Sequence, residues 1–372
     1  MKITDIKTIP LQIPLKETDP VSAYPNRRRI HIVVEVSTDE DVKGYGEAIP
    51  FTYGAISGYI EQQLKPLLVG ENPFNVERLW DKVYKVSFGH GIKGISLYAL
   101  SAVEIALWDI IGKARKLPVY EMLGGLCKDK VKAYASLMEY SKPEEVGKVS
   151  VRWVEEGYKA VKIHQGRKDA VESTKAVRDA VGDDIKIMLD VNGAWTPQEA
   201  IKNARELEKY DLTWLEEPIW PVDDYNSLAH LREETTIPIA GGENEHTHYG
   251  FRELITKGAF DIVQPDVIMT GGISICRKII ALAEAWNLDL ATHSFFFGPG
   301  VPASVQLSLS NMRSEWVEIN AVPLEEYFIS PPFRPEKGYI SVPGKPGLGF
   351  EVDWEVVDKY LVRETPTQSL YY

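Results

Sequence analysis

The chain is predicted to be an α/β protein: a (β/α)8, TIM-like barrel preceded by a separate α+β domain. Two observations carry this reading. Short apolar segments, β-branched or aromatic, recur through the middle of the 372-residue chain, with amphipathic stretches of helical length between them. A polar residue closes each segment at a nearly constant interval. Lys162, Asp190, Glu216, Glu243, Asp266, His293 and Glu318 follow one another at 28, 26, 27, 23, 27 and 25 residues. That is about one strand–loop–helix unit, and β alternating with α at this period gives a parallel sheet with helical crossovers. A doubly wound open sheet also gathers strand ends along one edge. A closed barrel, unlike the open sheet, brings the ends of consecutive strands around one centre.

The elements follow in order. "KITDIKTIPLQIPL" and "RIHIVVEVSTDEDVKGYGEAIP" alternate as antiparallel strands, with "STDED" as the turn. Helical patterns come next: "SGYIEQQLKPLL", "NVERLWDKVYKVSF" and the long "SLYALSAVEIALWDIIGKARK". Strands followed by helices make residues 1–125 a separate α+β unit. The turn chemistry of "PVYEMLGG" ends it, and "VKAYASLM" is the first barrel strand, so the barrel is placed at 126–324. The remainder, 325–372, is rich in Pro and Gly and is expected to return to the first domain.

Composition narrows the function classes. A formal net charge of -12 argues against a nucleic-acid or anionic-membrane surface. No apolar run is read as bilayer-spanning, and the start "MKITDIKTIPLQIPL" reads as strand, not signal peptide. The two cysteines, Cys127 and Cys276, form neither a disulfide framework nor a CxxC site. A cytoplasmic location is the default expectation.

The polar strand ends carry the chemistry. Asp190 in "IMLDVN", Glu216 in "TWLEEP" and Glu243 in "AGGEN" supply three carboxylates, which suit a hard cation such as Mg²⁺. Taken singly, each acid could be a helix N-cap or a loop ion pair; three in step point to a metal. Glu217, next to Glu216, is expected to face the other way because strand side chains alternate. Asp266 can orient His293 and raise its basicity. Lys162 and His164 share one strand face: a cation for a substrate carboxylate, and a group able to move a proton. Glu318 can donate a hydrogen bond to an oxyanion if burial keeps it protonated. The parts suit removal of a proton next to a carboxylate, where the barrier is mostly charge.

With these motifs in hand, the chain resembles the enolase superfamily, and within it the mandelate racemase subgroup. "IGKARKLPVYEMLGG", "LDVNGAW", "WLEEP", "GGEN", "QPD…GGIS", "ATH", "WVE" and "SVPGKPGLGFEVD" match in order and spacing over essentially the whole chain. The resemblance implies Mg²⁺ on Asp190, Glu216 and Glu243, and a His293–Asp266 dyad as general acid/base. It implies Glu318 at the enolate-stabilising position and Ser136 near a substrate carboxylate oxygen. It also implies a capping domain whose loops, around Val21 to Arg29 and Phe51 to Ser57, set specificity; Tyr24, Arg29 and Tyr53 are the candidate contacts there, beside Arg27 and Arg28. A homo-oligomer is implied as well. One departure stands out: the racemase pattern has Lys-x-Lys where this chain has Lys162-x-His164. The expected activity is dehydration of a sugar acid, an aldonate or aldarate, to a 2-keto-3-deoxy acid, with racemisation or epimerisation of an α-substituted carboxylate as the alternative. Cycloisomerisation and a catalytically silent binding barrel rank below these.

Overall fold

The computed structural model describes residues 1–16, 28–50, 53–166 and 169–363. Three antiparallel strands, β1 (Ile3–Pro14), β2 (Arg28–Thr38) and β3 (Lys43–Ala48), form a sheet in that order. The helix Ile95–Arg115 packs on β3 at glycine contacts: a Cβ on Gly44 or Gly46 would lie 2.1 or 1.8 Å from the carbonyl oxygens of Ala106 and Ala102. This helix corrects one expectation. It is long and apolar enough to cross a membrane by composition, yet 78% of its most apolar window is buried inside the fold, as a core helix is.

Eight parallel strands follow: β4 (Val131–Ser136), β5 (Ala160–His164), β6 (Lys186–Asp190), β7 (Leu212–Glu216), β8 (Ile239–Gly241), β9 (Ile262–Val263), β10 (Asp289–Thr292) and β11 (Ser314–Asn320). Each pairs with the next, and β11 pairs with β4, so the barrel closes. Each strand sends one side chain into a central cluster: Tyr134, Ala160, Met188, Trp214, Ala240, Ile262, Ala291 and Trp316. Strand side chains repeat every two residues. The next inward tier is therefore Ser136, Lys162, Asp190, Glu216, Gly242, Gln264, His293 and Glu318. An apolar floor thus lies directly beneath a polar tier at the C-terminal mouth, where barrel enzymes keep their chemistry.

The N-terminal unit grips the barrel through buried carboxylates. Glu47 accepts from the amides of Gly298 and Gly300, each at 3.1 Å. Glu104 accepts from Ile273 and Ser274 at 2.7 and 2.9 Å. These amides open the helices Gly300–Leu309 and Ile273–Ala285, whose free N–H groups and dipoles favour an anion. The two helices begin just after the segments bearing His293 and Asp266. Asp109 takes the amides of Leu348 and Tyr45 at 2.9 and 3.0 Å. The C-terminal segment runs back across β1, where the amide of Val362 donates to the carbonyl of Pro10 at 2.9 Å.

Candidate active site

Lys162 stands at the centre, fully buried. Its Nζ lies 2.7 Å from Glu216 Oε1, 2.9 Å from Glu318 Oε1 and 3.5 Å from Asp190 Oδ2. Burial disfavours its charge, but Glu216 and Glu318 outweigh that and hold the ammonium well above its ordinary range. Trp214, on the apolar floor, donates up to Glu216 Oε2 at 2.8 Å. Ser136 donates to Glu318 Oε1 at 2.6 Å, and the Ser294 amide to Glu318 Oε2 at 2.9 Å.

The contacts at Glu318 favour its charged form. Burial would raise its pKa; the Lys162 and His293 charges and two donors bring it down to about 2. Asp190 behaves likewise, with Lys162 and His164 overcoming burial to hold it low. Glu216 goes the other way, to about 7, because burial and the neighbouring acids exceed the pull of Lys162.

Both site histidines are locked at Nδ1. His164 Nδ1 is 2.6 Å from the carbonyl of Leu137, which fixes Nδ1 as donor. His293 Nδ1 is 2.5 Å from Asp266 Oδ2, whose Oδ1 takes the Ile268 amide at 2.8 Å. Each Nε2 therefore faces the carboxylates: His164 at 3.4 Å from Asp190 Oδ2, His293 at 3.0 Å from Glu243 Oε2. Burial works against a charged His293, and Glu243, Glu318 and Asp266 together outweigh it, raising the imidazole well above its usual range. Burial pushes Asp266 up against the pull of His293. The pair is best described as an imidazolium held by an ionised, desolvated carboxylate.

Asp190, Glu216 and Glu243 each offer an oxygen within 4.8 Å of the others. Glu243 breaks the inward parity, being three residues past Ala240. The intervening Gly242, at φ +121°, turns the chain and lets it in. At Glu217 strand alternation no longer sets the direction. The strand stops at Glu216, and a positive φ of 42° at Glu217 cancels the alternation. It lies buried with Asn244 Nδ2 donating to both its oxygens at 3.1 and 2.8 Å. Burial and the charge of Glu243 push its carboxyl well up.

The residues present fit a divalent cation. Five carboxyl groups (Asp190, Glu216, Glu243, Asp266 and Glu318) face Lys162, His164 and His293, so acids outnumber bases even with both imidazoles charged. Asp190 Oδ2 and Glu243 Oε2 are buried and accept no hydrogen bond; their nearest histidine nitrogens meet them as charges only. Both oxygens stand in ion pairs but receive no directed donor, and buried carboxylate oxygens short of donors suit a further cation.

Of the specificity candidates, Tyr24, Arg27 and Phe51 lie outside the described residues. Arg29 reaches the mouth: its Nη2 is 2.7 Å from Met138 Sδ, and its guanidinium sits 5.2 Å from the Phe295 ring, which packs at 5.5 Å on His164. Tyr53 begins the helix Tyr53–Tyr59 and packs half-buried on the core. Two inward residues escaped the sequence reading: Gln264 and Asn320, both buried, with neither end of either carboxamide hydrogen-bonded among the described residues. Inward parity, two residues from Asp266 and two from Glu318, was the signal that marks them.

Known proteins agree with this geometry. Residues 145–356 match the family described as enolase C-terminal domain-like, and residues 10–124 match the mandelate racemase / muconate lactonizing enzyme N-terminal domain. The arabinonate dehydratase of Saccharolobus solfataricus is 36% identical over 339 residues, 88% of this chain and 90% of that protein. The D-xylonate dehydratase of Haloferax volcanii is 34% identical over 355 residues, covering 89% and 85%. The crystal structure of a racemase from Streptomyces coelicolor A3(2) with bound magnesium superposes with a TM-score of 0.86 at 28% identity, over 97% of this chain and 100% of that one. The chain belongs to the enolase superfamily, in its mandelate racemase subgroup.

Proposed function

We infer that this enzyme dehydrates a sugar acid, an aldonate or aldarate, to a 2-keto-3-deoxy acid, with Mg²⁺ held by Asp190, Glu216 and Glu243. One observation carries the reading: two histidines on separate strands, each locked at Nδ1, present both Nε2 atoms to a single carboxylate centre. Dehydration needs two proton transfers, one from the α-carbon and one to the departing β-hydroxyl. The similarity to sugar-acid dehydratases supports this over other chemistry of the superfamily. When bound, the metal supplies positive charge for a substrate carboxylate as the α-carbon loses its proton.

The chain's own residues divide the rest. Lys162 adds a fixed cation in a water-poor tier, where its charge acts strongly. Burial disfavours a charged His164 but Asp190 outweighs it and raises the imidazole; in its deprotonated form His164 accepts the α-proton at Nε2. His293, an imidazolium braced by Asp266, gives its Nε2 proton to the β-hydroxyl, which leaves as water, and the enol tautomerises to the keto acid. Glu318, ionised and hydrogen-bonded, keeps Lys162 and Ser136 in place.

The test is a screen of mono- and diacid sugars with Mg²⁺, read as 2-keto acid, followed by His293→Asn. The variant should lose keto-acid formation by about 10³-fold or more while still exchanging the α-proton with deuterated solvent. Keto-acid formation at near wild-type rate in His293→Asn would remove His293 from the acid role. The same paired Nε2 atoms also suit inversion at the α-carbon; substrate epimerised with no water lost would decide for that alternative.

A further inference from the structure

We propose that Asn320 is a substrate-binding residue that reads a hydroxyl of the sugar chain beyond the two reacting carbons. The inference rests on the sugar-acid reading above. Asn320 ends β11, four residues past Trp316 on the apolar floor and two past Glu318. Strand parity therefore aims it inward, one tier above the catalytic carboxylates. It is 1% exposed, yet neither Oδ1 nor Nδ2 has a hydrogen-bond partner among the described residues. Its backbone is fixed: Arg334 Nη1 donates to the Asn320 carbonyl at 2.6 Å, and the next amide, of Ala321, donates to the carbonyl of Ser136 at 2.9 Å. A buried carboxamide with both ends unmet is costly, and native proteins rarely keep one without use.

The pattern of unmet atoms says what the occupant is. Asn320 offers one acceptor and two donor hydrogens. A hydroxyl both donates and accepts, so it meets both ends of the amide. A carboxylate only accepts, and would set its charge against Oδ1. The position therefore selects a polyol carbon, not a second carboxylate. The reaction leaves Asn320 free for this: Lys162, Ser136 and the metal carboxylates surround the acid group, and His164 and His293 move the protons.

The test compares wild type with Asn320→Leu, which keeps the shape without hydrogen bonds, and Asn320→Asp, which accepts but does not donate as an ion. Substrates are the aldonate found by the screen and monodeoxy analogues each lacking one hydroxyl beyond the leaving group. Asn320→Leu should lower kcat/KM on the parent by about 10- to 100-fold. It should lose nothing further on one particular deoxy analogue, which wild type already handles poorly by the same factor. Asn320→Asp should show the same coupling at a larger loss, because it adds a negative charge beside an acid-rich tier. The Tm of metal-free Asn320→Leu should equal or exceed wild type, because an unmet amide has been removed; a merely structural Asn would lower it. Equal losses of Asn320→Leu on every analogue, or none on the parent, would overturn the assignment and leave the dehydratase reading standing. A wild type that converts no sugar acid would overturn both.

Discussion

Lys162→Met removes the one fixed cation from the polar tier and keeps the apolar stem. Three buried carboxylates then lose their countercharge, at 2.7, 2.9 and 3.5 Å. Taking one partner from a buried ion pair costs about 3–5 kcal/mol. Lys162 is also, with His293, Ser136 and the Ser294 amide, what holds Glu318 low against burial. Glu318 sits near 2 against an ordinary 4.5, a difference worth about 3 kcal/mol. Its sign is fixed: the contribution is present above pH 4.5 and is lost as pH falls toward 2. In the variant, burial is no longer opposed by Lys162 and this acid-side dependence should flatten. Metal binding should move the other way. A divalent cation and the ammonium compete for the same oxygens, so losing the ammonium should tighten Mg²⁺. The assay is urea unfolding at pH 7 in EDTA and in saturating Mg²⁺. Destabilisation of about 3–5 kcal/mol in EDTA should shrink in Mg²⁺, with each 1.4 kcal/mol recovered marking about tenfold tighter metal. Turnover should still fall by at least about 10³-fold, since the charge facing the substrate is gone. Equal destabilisation in both media, or weaker Mg²⁺ binding, would refute the competition on which the argument depends.

Asp266→Asn should leave the fold intact and lower kcat by about 10³- to 10⁴-fold, because a carboxamide neither fixes the useful tautomer of His293 nor stabilises its charge; steady-state kinetics with a circular dichroism control checks it. Thr196 caps the helix Pro197–Leu207 in a reciprocal capping box with Glu199, so Thr196→Ala should cost about 1 kcal/mol in urea unfolding with kcat unchanged. Glu104 is raised by burial to about 7 from 4.5. The native state thus holds a proton that the unfolded chain releases between those values, and stability should fall as pH rises from 4.5 to 7, by up to about 3 kcal/mol. Glu104→Gln should flatten that slope in unfolding curves at pH 5 and 8; an unchanged slope would assign it to another group.

The sequence beat located the site because closure of the barrel turns spacing along the chain into proximity. Lys162, Asp190, Glu216 and Glu318 were legible for a second reason: each lies two residues past a floor side chain, so period and parity agree. Parity does not reach Glu217, where the strand has already ended. It would have exposed Gln264 and Asn320 had it been applied to neutral residues as well as to charged ones. The charge state of Glu318 was not legible, because it depends on a 2.9 Å contact with Lys162, a distance no spacing provides. The carboxylates between the two units were out of reach altogether. Glu104 meets amides 169 and 170 residues away. All that marked it was an acid on the buried face of an apolar helix.

The order of the tiers explains why so charged a centre persists inside a barrel. Tyr134, Met188, Trp214 and Trp316 close the floor, while Ala160, Ala240 and Ala291 leave them room. Water is kept from the carboxylates on that side, which strengthens every charge interaction above it. The same exclusion makes surplus negative charge expensive. With Mg²⁺ on the three carboxylates as proposed, part of the barrel's stability would be linked to the cation, rising as RT ln(1 + [Mg²⁺]/Kd). The two loops that bear His293 and Asp266 are held from outside by Glu47 and Glu104, independently of the metal. Chelation should therefore loosen the carboxylate tier before it loosens the dyad. Hydrogen exchange in EDTA would register this as faster exchange at the amides of Asn192 and Leu215 than at Ile268 and Ile273; uniform loss of protection would place both under one control.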